Sequence, residues 1–355
     1  MNDTLSFQLA GVARTSNAGP LLDRLCDHFS EQADVQRTGD HVRFETEFGL
    51  ADIVLEEGSL KLAVVTKSAQ TLQLAHTMLA EHLYYLSGES DLELTWSQPP
   101  ARSVPVNLHE VQVVSTEAVT PHMLRVKFSC EDVTPFIGGN IHVRLLIPPK
   151  EREPAWPVVG HDGRIKWPDG DDALLVRVYT IRFVDVEKRE LWVDFLQHPA
   201  SDIVTPGADF ARNAKPGDRA AFLGPGGGGI PEAEQIFLAG DEAALPAIAR
   251  IALEAPVGSH LKAIIEVENE TEEQAIESAA DLDICWLHRA SANGTSRLAC
   301  ATQEAIAATD AETFIWVACE RTDIKGIRQL LKDRQHDRKK TYVAWYWERS
   351  SSAAS

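Results

Sequence analysis

The clearest chemistry in the chain lies in Arg177-Val-Tyr-Thr-Ile-Arg182. This stretch closes an apolar run over 173–178, and apolar residues alternate again over 183–186. The pattern predicts a β-strand. Side chains at i and i+2 share a strand face, so Arg177 and Tyr179 face one way with Thr180 beside them. A guanidinium makes a two-pronged hydrogen bond that fits a phosphate. A phenol offers a flat apolar face with a polar tip, and a threonine hydroxyl can donate to a ring nitrogen. The set suits a flavin dinucleotide laid along a strand. The plainer alternative is a barrel strand with solvated charges, and the rest of the chain must separate the two.

A second group lies near Gly240-Asp-Glu-Ala-Ala-Leu-Pro246, which joins a predicted strand to a predicted helix. It stands where a nucleotide-binding sheet carries its glycine-rich loop, and Asp241 can cap the helix. Glu266 and Glu268 end the next strand. An acid there can accept from a ribose 2′-hydroxyl and repel a 2′-phosphate, which favours NADH over NADPH. Gly224-Pro-Gly-Gly-Gly-Gly229 is not a phosphate loop, because no G-K-[ST] follows it; it links barrel to sheet. His28, His76 and His82 lie on predicted helices and are read as structural or solvated rather than as a metal site.

The elements that must position these groups fall into three blocks. Residues 1–97 read as a small α+β domain, with helices over 20–29 and 68–86 and short strands over 41–47, 51–55, 60–65 and 92–96. A proline-rich linker covers 98–105. Over 106–231, strands at 107–117, 123–129, 142–147, 174–186, 190–196 and 218–223 predict a small antiparallel β-barrel. The polar segment 148–172 reads as a long loop of this barrel. Over 232–349 strands alternate with helices, including an acidic helix over 271–280. That texture predicts a parallel sheet with ligands at the carboxyl ends of its strands. Residues 350–355 read as a disordered tail.

Composition narrows the function. The chain has 355 residues, 44% hydrophobic and 25% charged, with a net charge of −19. So acidic a chain is a poor partner for nucleic acid or an anionic membrane surface. No apolar run reaches the length of a membrane span, and the N-terminus lacks the basic start and apolar core of a signal peptide. The cytoplasm is the expected compartment and a monomer the expected state. Cys26, Cys130, Cys285, Cys300 and Cys319 are far apart with no C-x-x-C, so no iron–sulfur or zinc site is expected. Four of them lie in or beside apolar stretches, where a thiol is usually buried.

A barrel followed by an open parallel sheet is the plan of the ferredoxin-reductase class. Within it, the chain resembles the siderophore-interacting proteins, flavin-dependent ferric-siderophore reductases. The stretches that carry the resemblance are Arg177-Val-Tyr-Thr-Ile-Arg182, Val193-Asp-Phe-Leu-Gln-His198, Pro206-Gly-Ala-Asp-Phe-Ala211, Lys215-Pro-Gly-Asp218 and Leu223-Gly-Pro225. They continue with Leu238-Ala-Gly-Asp-Glu-Ala-Ala-Leu-Pro-Ala247, Cys285-Trp-Leu-His-Arg289, Phe314-Ile-Trp-Val-Ala-Cys-Glu320, Arg328 and Tyr346-Trp347. The resemblance spans roughly residues 106 to 349 in family order. Cys26-Asp-His-Phe29, Glu81-His-Leu83 and Leu92-Glu-Leu-Thr-Trp96 resemble a small uncharacterised domain sometimes fused ahead of that family.

The resemblance implies FAD on Arg177, Tyr179, Thr180, Ile181 and His198. It also implies that Gly207 and Ala208, in the first turn of a short helix, face the pyrophosphate and that Trp347 covers the flavin, core packing in a Trp-rich sheet being the alternative for Trp347. It implies NADH or NADPH, or the flavin edge, at Gly240, Asp241, Glu242, Ala243 and Glu320. The family usually has Gly-Pro, a small residue and Ser where Thr205-Pro-Gly-Ala208 stands, often Thr at Ala243 and Arg at Gly226. Those departures remove two hydroxyls and a charge. The implied activity passes electrons from NAD(P)H to the flavin beside Thr180, then singly to Fe³⁺ held by a siderophore. Arg182, Arg212, Arg289 and Arg349 are candidates for an anionic ferric siderophore by position alone. The alternatives are a reductase coupled to ferredoxin or flavodoxin, and a binding module without catalysis.

Overall fold

The computed structural model describes residues 6–30, 33–46, 49–88, 91–100, 103–197, 205–292 and 294–349. The chain forms two compact units: Met1–Leu108 with Pro149–Leu174, and His109–Pro148 with Leu175–Ser355.

The first unit is a six-stranded antiparallel sheet with two helices. Its elements are β1 (Phe7–Arg14), α1 (Ala18–Phe29), β2 (Asp34–Thr38), β3 (His41–Thr46), β4 (Gly49–Glu56), β5 (Ser59–Thr66), α2 (Ala69–Ser87) and β6 (Glu93–Trp96), and the sheet order is β2-β3-β4-β5-β1-β6. Helical spacing puts Leu21, Leu22, Leu25 and Phe29 on one face of α1, where they meet Leu60, Leu62, Leu79 and Leu83 in the core. Ser68 caps α2 by accepting from Thr71 N, and Gly88 ends it with a left-handed φ of 75°. β1 and β2 were not expected from the sequence. Gly11 interrupts the pattern of β1 because a Cβ there would strike the Trp96 ring. His28 and His82 lie ring to ring at 4.8 Å, whereas His76 packs on Trp96, so the three histidines do not converge.

The barrel of the second unit begins with β7 (Leu108–Thr120), β8 (Met123–Cys130) and β9 (His142–Ile147). The segment expected as a barrel loop then belongs to the first unit. It forms a ribbon of β10 (Val158–Val159) and β11 (Ile165–Lys166). Glu81 accepts from Ile165 N at 2.6 Å, Trp96 donates to the Asp162 carbonyl at 2.9 Å, and the Arg164 guanidinium lies 3.7 Å over the Tyr84 ring. The insert is therefore tied to α2 and β6.

β12 (Leu175–Asp185), β13 (Glu190–Leu196) and β14 (Arg219–Leu223) close the barrel in the order β12-β13-β8-β7-β14-β9, with α3 (Pro206–Asn213) between β13 and β14. Phe128, Phe136, Phe195 and Phe222 fill it. Next come β15 (Gln235–Gly240), α4 (Leu245–Glu254), β16 (His260–Val267), β17 (Asp281–His288), α5 (Leu298–Ala308), β18 (Phe314–Glu320), α6 (Arg321–Asp333) and β19 (Thr341–Trp347), with a parallel sheet ordered β17-β16-β15-β18-β19.

The expected acidic helix over 271–280 is absent; a single 3-10 turn, Glu270–Glu272, stands there. Glu272 is buried and holds the β7–β8 turn, accepting from the Thr120 hydroxyl at 2.5 Å and from His122 N at 3.1 Å, with His122 Nδ1 at 2.8 Å. That tertiary use of the first carboxylates outweighs the weak local preference for helix. Cys285 on the edge strand β17 is exposed, as is Cys300. Cys130 and Cys319 are buried.

Candidate functional site

β12 changes partner in mid-strand. Arg177, Tyr179 and Thr180 pair with Leu145, Val143 and His142 of β9, whereas Ile181 pairs with Val193 of β13. Alternation turns Tyr179 and Ile181 into the barrel and Thr180 outward. The Tyr179 ring packs on Phe195 at a centroid distance of 4.3 Å, and burial pushes its hydroxyl up to about 12 despite the nearby Arg177 charge. That hydroxyl stands against Gly207, where a Cβ would collide with it. Arg177 is exposed, and Nη1 donates to its neighbour's carbonyl at Val176.

Gly207 and Ala208 are buried in the first turn of α3, which begins with Pro206. Among the described residues no side chain caps this helix. His198 lies outside the described residues.

These groups fit a flavin dinucleotide. The phenol tip meets an uncapped helix start, and an exposed guanidinium lies two residues away on the same strand; all are donors that could serve a dinucleotide's phosphates. The missing side chain at 207 preserves the approach of Tyr179 to that helix start.

The second group gathers at the carboxyl edge of the parallel sheet, where such sheets bind ligands. Gly240 ends β15 with no room for a Cβ, which would lie 2.7 Å from the Ala318 carbonyl. Asp241 is buried; Oδ1 accepts from Ala243 N at 2.9 Å and Oδ2 from Trp347 Nε1 at 2.6 Å. Burial raises its carboxyl to about 6 against the lowering effect of the Trp347 bond, with the Glu242 charge adding to the rise. The Asp241 carbonyl also accepts from Ala244 N and Leu245 N, and Pro246 has no N–H.

The other strand ends repeat this arrangement. Glu266 accepts from Arg297 N at 2.6 Å and Leu298 N at 3.1 Å at the start of α5. Glu320 accepts from Thr322 N at 2.6 Å at the start of α6, and from Arg349 N at 3.2 Å.

The chain's own carboxylates thus occupy the starts of α5 and α6, whereas α4 has no side-chain cap, so Asp241 does not cap it as expected: its carboxylate takes Ala243 N ahead of the helix and its carbonyl takes Ala244 N and Leu245 N. The N–H groups expected to receive a nucleotide pyrophosphate are already bonded, and the local charge is negative. These residues do not fit a dinucleotide held at α4, and Glu266 is engaged in a structural role instead of waiting for a ribose.

The four candidate arginines do not form one pocket. Arg289 pairs with both oxygens of Glu242 and lies 3.5 Å from Glu266 and 3.4 Å from Glu268, so its charge is matched within the protein. Arg212 binds Asp209 at 2.8 Å and Gln197 at 3.1 Å. Arg182 is half-buried on the barrel wall with its Nε facing no partner among the described residues. Arg349 lies 6.0 Å over the half-exposed ring of Trp347.

Several residues escaped the sequence reading. Arg250 of α4 is fully buried and donates to the carbonyls of Ile181 at 2.8 Å and Phe136 at 2.6 Å and to Glu254 at 2.9 Å. It joins the sheet to the barrel beside Thr180. The signal was a lone arginine within an apolar helix, Leu245-Pro-Ala-Ile-Ala-Arg-Ile-Ala-Leu-Glu254. His142, opposite Thr180, gave no signal beyond a histidine at the start of an apolar strand.

A closed six-stranded barrel joined to a parallel sheet defines the ferredoxin-reductase class of fold. Residues 112–229 match the model of the siderophore-interacting FAD-binding domain, and 233–350 that of siderophore-interacting protein. Residues 10–97 match a domain described as an uncharacterized protein conserved in bacteria. A siderophore utilization protein from T. fusca has the same fold over 69% of this chain and 94% of its own, with 32% identity and a TM-score of 0.56. The ferric vibriobactin reductase ViuB of Vibrio cholerae is 26% identical over 67% of this chain and 89% of its own. The ferric acinetobactin reductase of Acinetobacter baumannii is 22% identical over 69% of this chain and 80% of its own. The chain belongs to the siderophore-interacting protein family.

Proposed function

We propose that the protein is an FAD-dependent ferric-siderophore reductase acting as a cytoplasmic monomer. The observation that carries the reading is the Tyr179 hydroxyl seated against Gly207 in the uncapped first turn of α3, with the exposed Arg177 two residues away on the same strand. When bound there, FAD supplies the exchange of electron pairs for single electrons that iron requires. The chain's residues would hold and orient it: Arg177 and the helix start would take the phosphates, Tyr179 would support the chain between phosphates and ring, and the Thr180 hydroxyl would serve the flavin ring. Trp347, held by Asp241, would shield the ring from water. Fe³⁺ is a hard ion and Fe²⁺ a softer one that oxygen chelators hold poorly, so reduction releases the metal. Relatives named as ferric vibriobactin and ferric acinetobactin reductases support this substrate class.

NADH or NADPH is the electron donor that the sequence suggests. The carboxylates on the starts of α5 and α6, and that of Asp241 just ahead of α4, favour a second reading, in which a protein such as ferredoxin donates. An acidic donor would in turn meet an acidic chain unfavourably. The deciding measurement is an absorption spectrum of the FAD-loaded protein under argon. Flavin bands that bleach with one nucleotide and return with a ferric siderophore establish both donor and reductase. Bands that respond only to reduced ferredoxin select the second reading. A protein that takes up no FAD refutes the proposal.

A further inference from the structure

On the outer face of the barrel, a line of hydrogen-bonding groups runs away from Thr180. Thr180 Oγ1 lies 3.2 Å from Nδ1 of His142, its cross-strand partner. On the far side of the imidazole, Nε2 lies 2.8 Å from the Tyr346 hydroxyl and 3.3 Å from that of Tyr342. One buried ring therefore connects the barrel to the last strand of the parallel sheet. Its surroundings hold it there. Arg250 fixes the Ile181 carbonyl next to Thr180. Trp316 stacks on Tyr342 at 5.4 Å and meets Tyr346 edge-on at 6.2 Å. Gly228, with φ of +68°, leaves the imidazole room that a Cβ would fill.

We propose that Thr180, His142 and Tyr346 form a proton wire that exchanges one proton with the flavin at Thr180 and reverses direction with the flavin's oxidation state. The inference rests on FAD occupying the barrel mouth as proposed above. Hydroxyls both donate and accept, and a neutral imidazole donates from one nitrogen while accepting at the other, so two orderings exist. In the first, Tyr346 donates to Nε2, Nδ1–H donates to Thr180 Oγ1, and the threonine hydroxyl is free to donate to an unprotonated ring nitrogen. In the second, Thr180 accepts from a protonated ring nitrogen and donates to Nδ1, and Nε2–H donates to Tyr346.

Passing from the second ordering to the first moves one proton along each link and discharges one at Tyr346. Tyr342, only half-buried, continues the path outward. The balance matches the reaction. Two electrons leave singly to two Fe³⁺, giving two Fe²⁺, and one proton is left for the wire to remove.

The charged and titratable neighbours favour relay over storage. Burial, then the positive charge of Arg250, hold His142 down at about 4, so the ring stays neutral. Glu254 offsets part of that charge from the same helix. Burial raises both tyrosines, and Asp241 adds to the rise at Tyr346, so neither gives up its proton outright.

The test is nitrogen-15 NMR of the full-length protein labelled at histidine and loaded with FAD. Long-range proton–nitrogen correlations show which nitrogen of His142 bears the proton, with the signals assigned by their loss in His142→Gln. Nδ1 is expected to be protonated with oxidised FAD, and Nε2 after anaerobic reduction with dithionite. The same nitrogen protonated in both states, or an imidazolium in either, overturns the wire. Should His142→Gln fail to fold, Thr180→Val serves for assignment and is expected to abolish the switch; a switch that persists in it also overturns the wire. Where His142→Gln folds and retains FAD, its reoxidation by a ferric chelate slows on the order of 10²-fold. Uptake of FAD with a fixed tautomer defeats the wire alone, whereas failure to take up FAD defeats the flavin reading and the wire together.

Discussion

At the scale of single residues, Arg177 and Asp241 perform opposite tasks. Arg177 is exposed at the barrel mouth, and its side chain bonds only a neighbouring carbonyl. A charge-assisted bond to phosphate contributes roughly 1.5–3 kcal/mol. Arg177→Ala is therefore expected to weaken FAD binding about ten- to hundredfold with little change in stability, as read by titrating the apoprotein with FAD. Asp241 is committed internally, and its carboxyl is raised to about 6, chiefly by burial. A carboxyl raised in the folded state adds stability that is complete below its unfolded range and lost as pH rises through the folded value. Relative to Asp241→Asn, the wild type is expected to lose on the order of 3 kcal/mol between about pH 4 and pH 7 in urea unfolding. Trp347 donates to this carboxylate. A component of tryptophan fluorescence should titrate near pH 6 and vanish in Trp347→Phe.

At the scale of elements, the site depends on how α4 meets β12. The helix carries Arg250 on its buried face, and the guanidinium bonds two carbonyls of the barrel. Arg250→Met strands those carbonyls and is expected to cost about 3 kcal/mol in urea unfolding. Glu254→Gln, at the partly exposed partner, should cost under about 1 kcal/mol. The crossover between β16 and β17 makes a related point. Its acidic sequence reads locally as helix, yet Glu272 turns inward to hold Thr120 and His122. The buried carboxylate and its three partners outweigh propensity differences of a few tenths of a kcal/mol per residue.

At the scale of the whole molecule, the segment between β9 and β12 is what a linear reading misplaces most. It leaves the barrel and packs with the N-terminal unit, where Gly163 takes a φ of +88° against His76 and Ala80. A Cβ at 163 would lie 2.7 Å from His76 Nε2. Gly163→Ala is expected to destabilise this unit by about 1–3 kcal/mol and to open the insert to limited proteolysis within 149–174. The FAD and ferric-chelate chemistry of the other unit should be unaffected by the lost contacts themselves. An insertion of 26 residues (149–174) in a barrel strand connection reads as a loop, since its partners, Glu81, Tyr84 and Trp96, lie far back in the chain.

The sequence by itself determined the class of fold, the barrel-then-sheet order, and the strand that presents Arg177, Tyr179 and Thr180. Each follows from periodicity and turn residues within windows of about ten residues, where local sterics and burial act. It also supplied the family, through short motifs kept in order. Only the tertiary structure decided that Glu266 takes the start of α5, that Trp347 donates to Asp241, that Arg289 is matched by three carboxylates, and that His142 joins Thr180 to Tyr346. His142 and Tyr346 are separated by 204 residues. Such contacts arise from packing two halves of a unit face to face, and the cost of burying an unpaired polar group selects them. No local pattern encodes that selection, because the partner that satisfies each group is fixed only once the chain has closed.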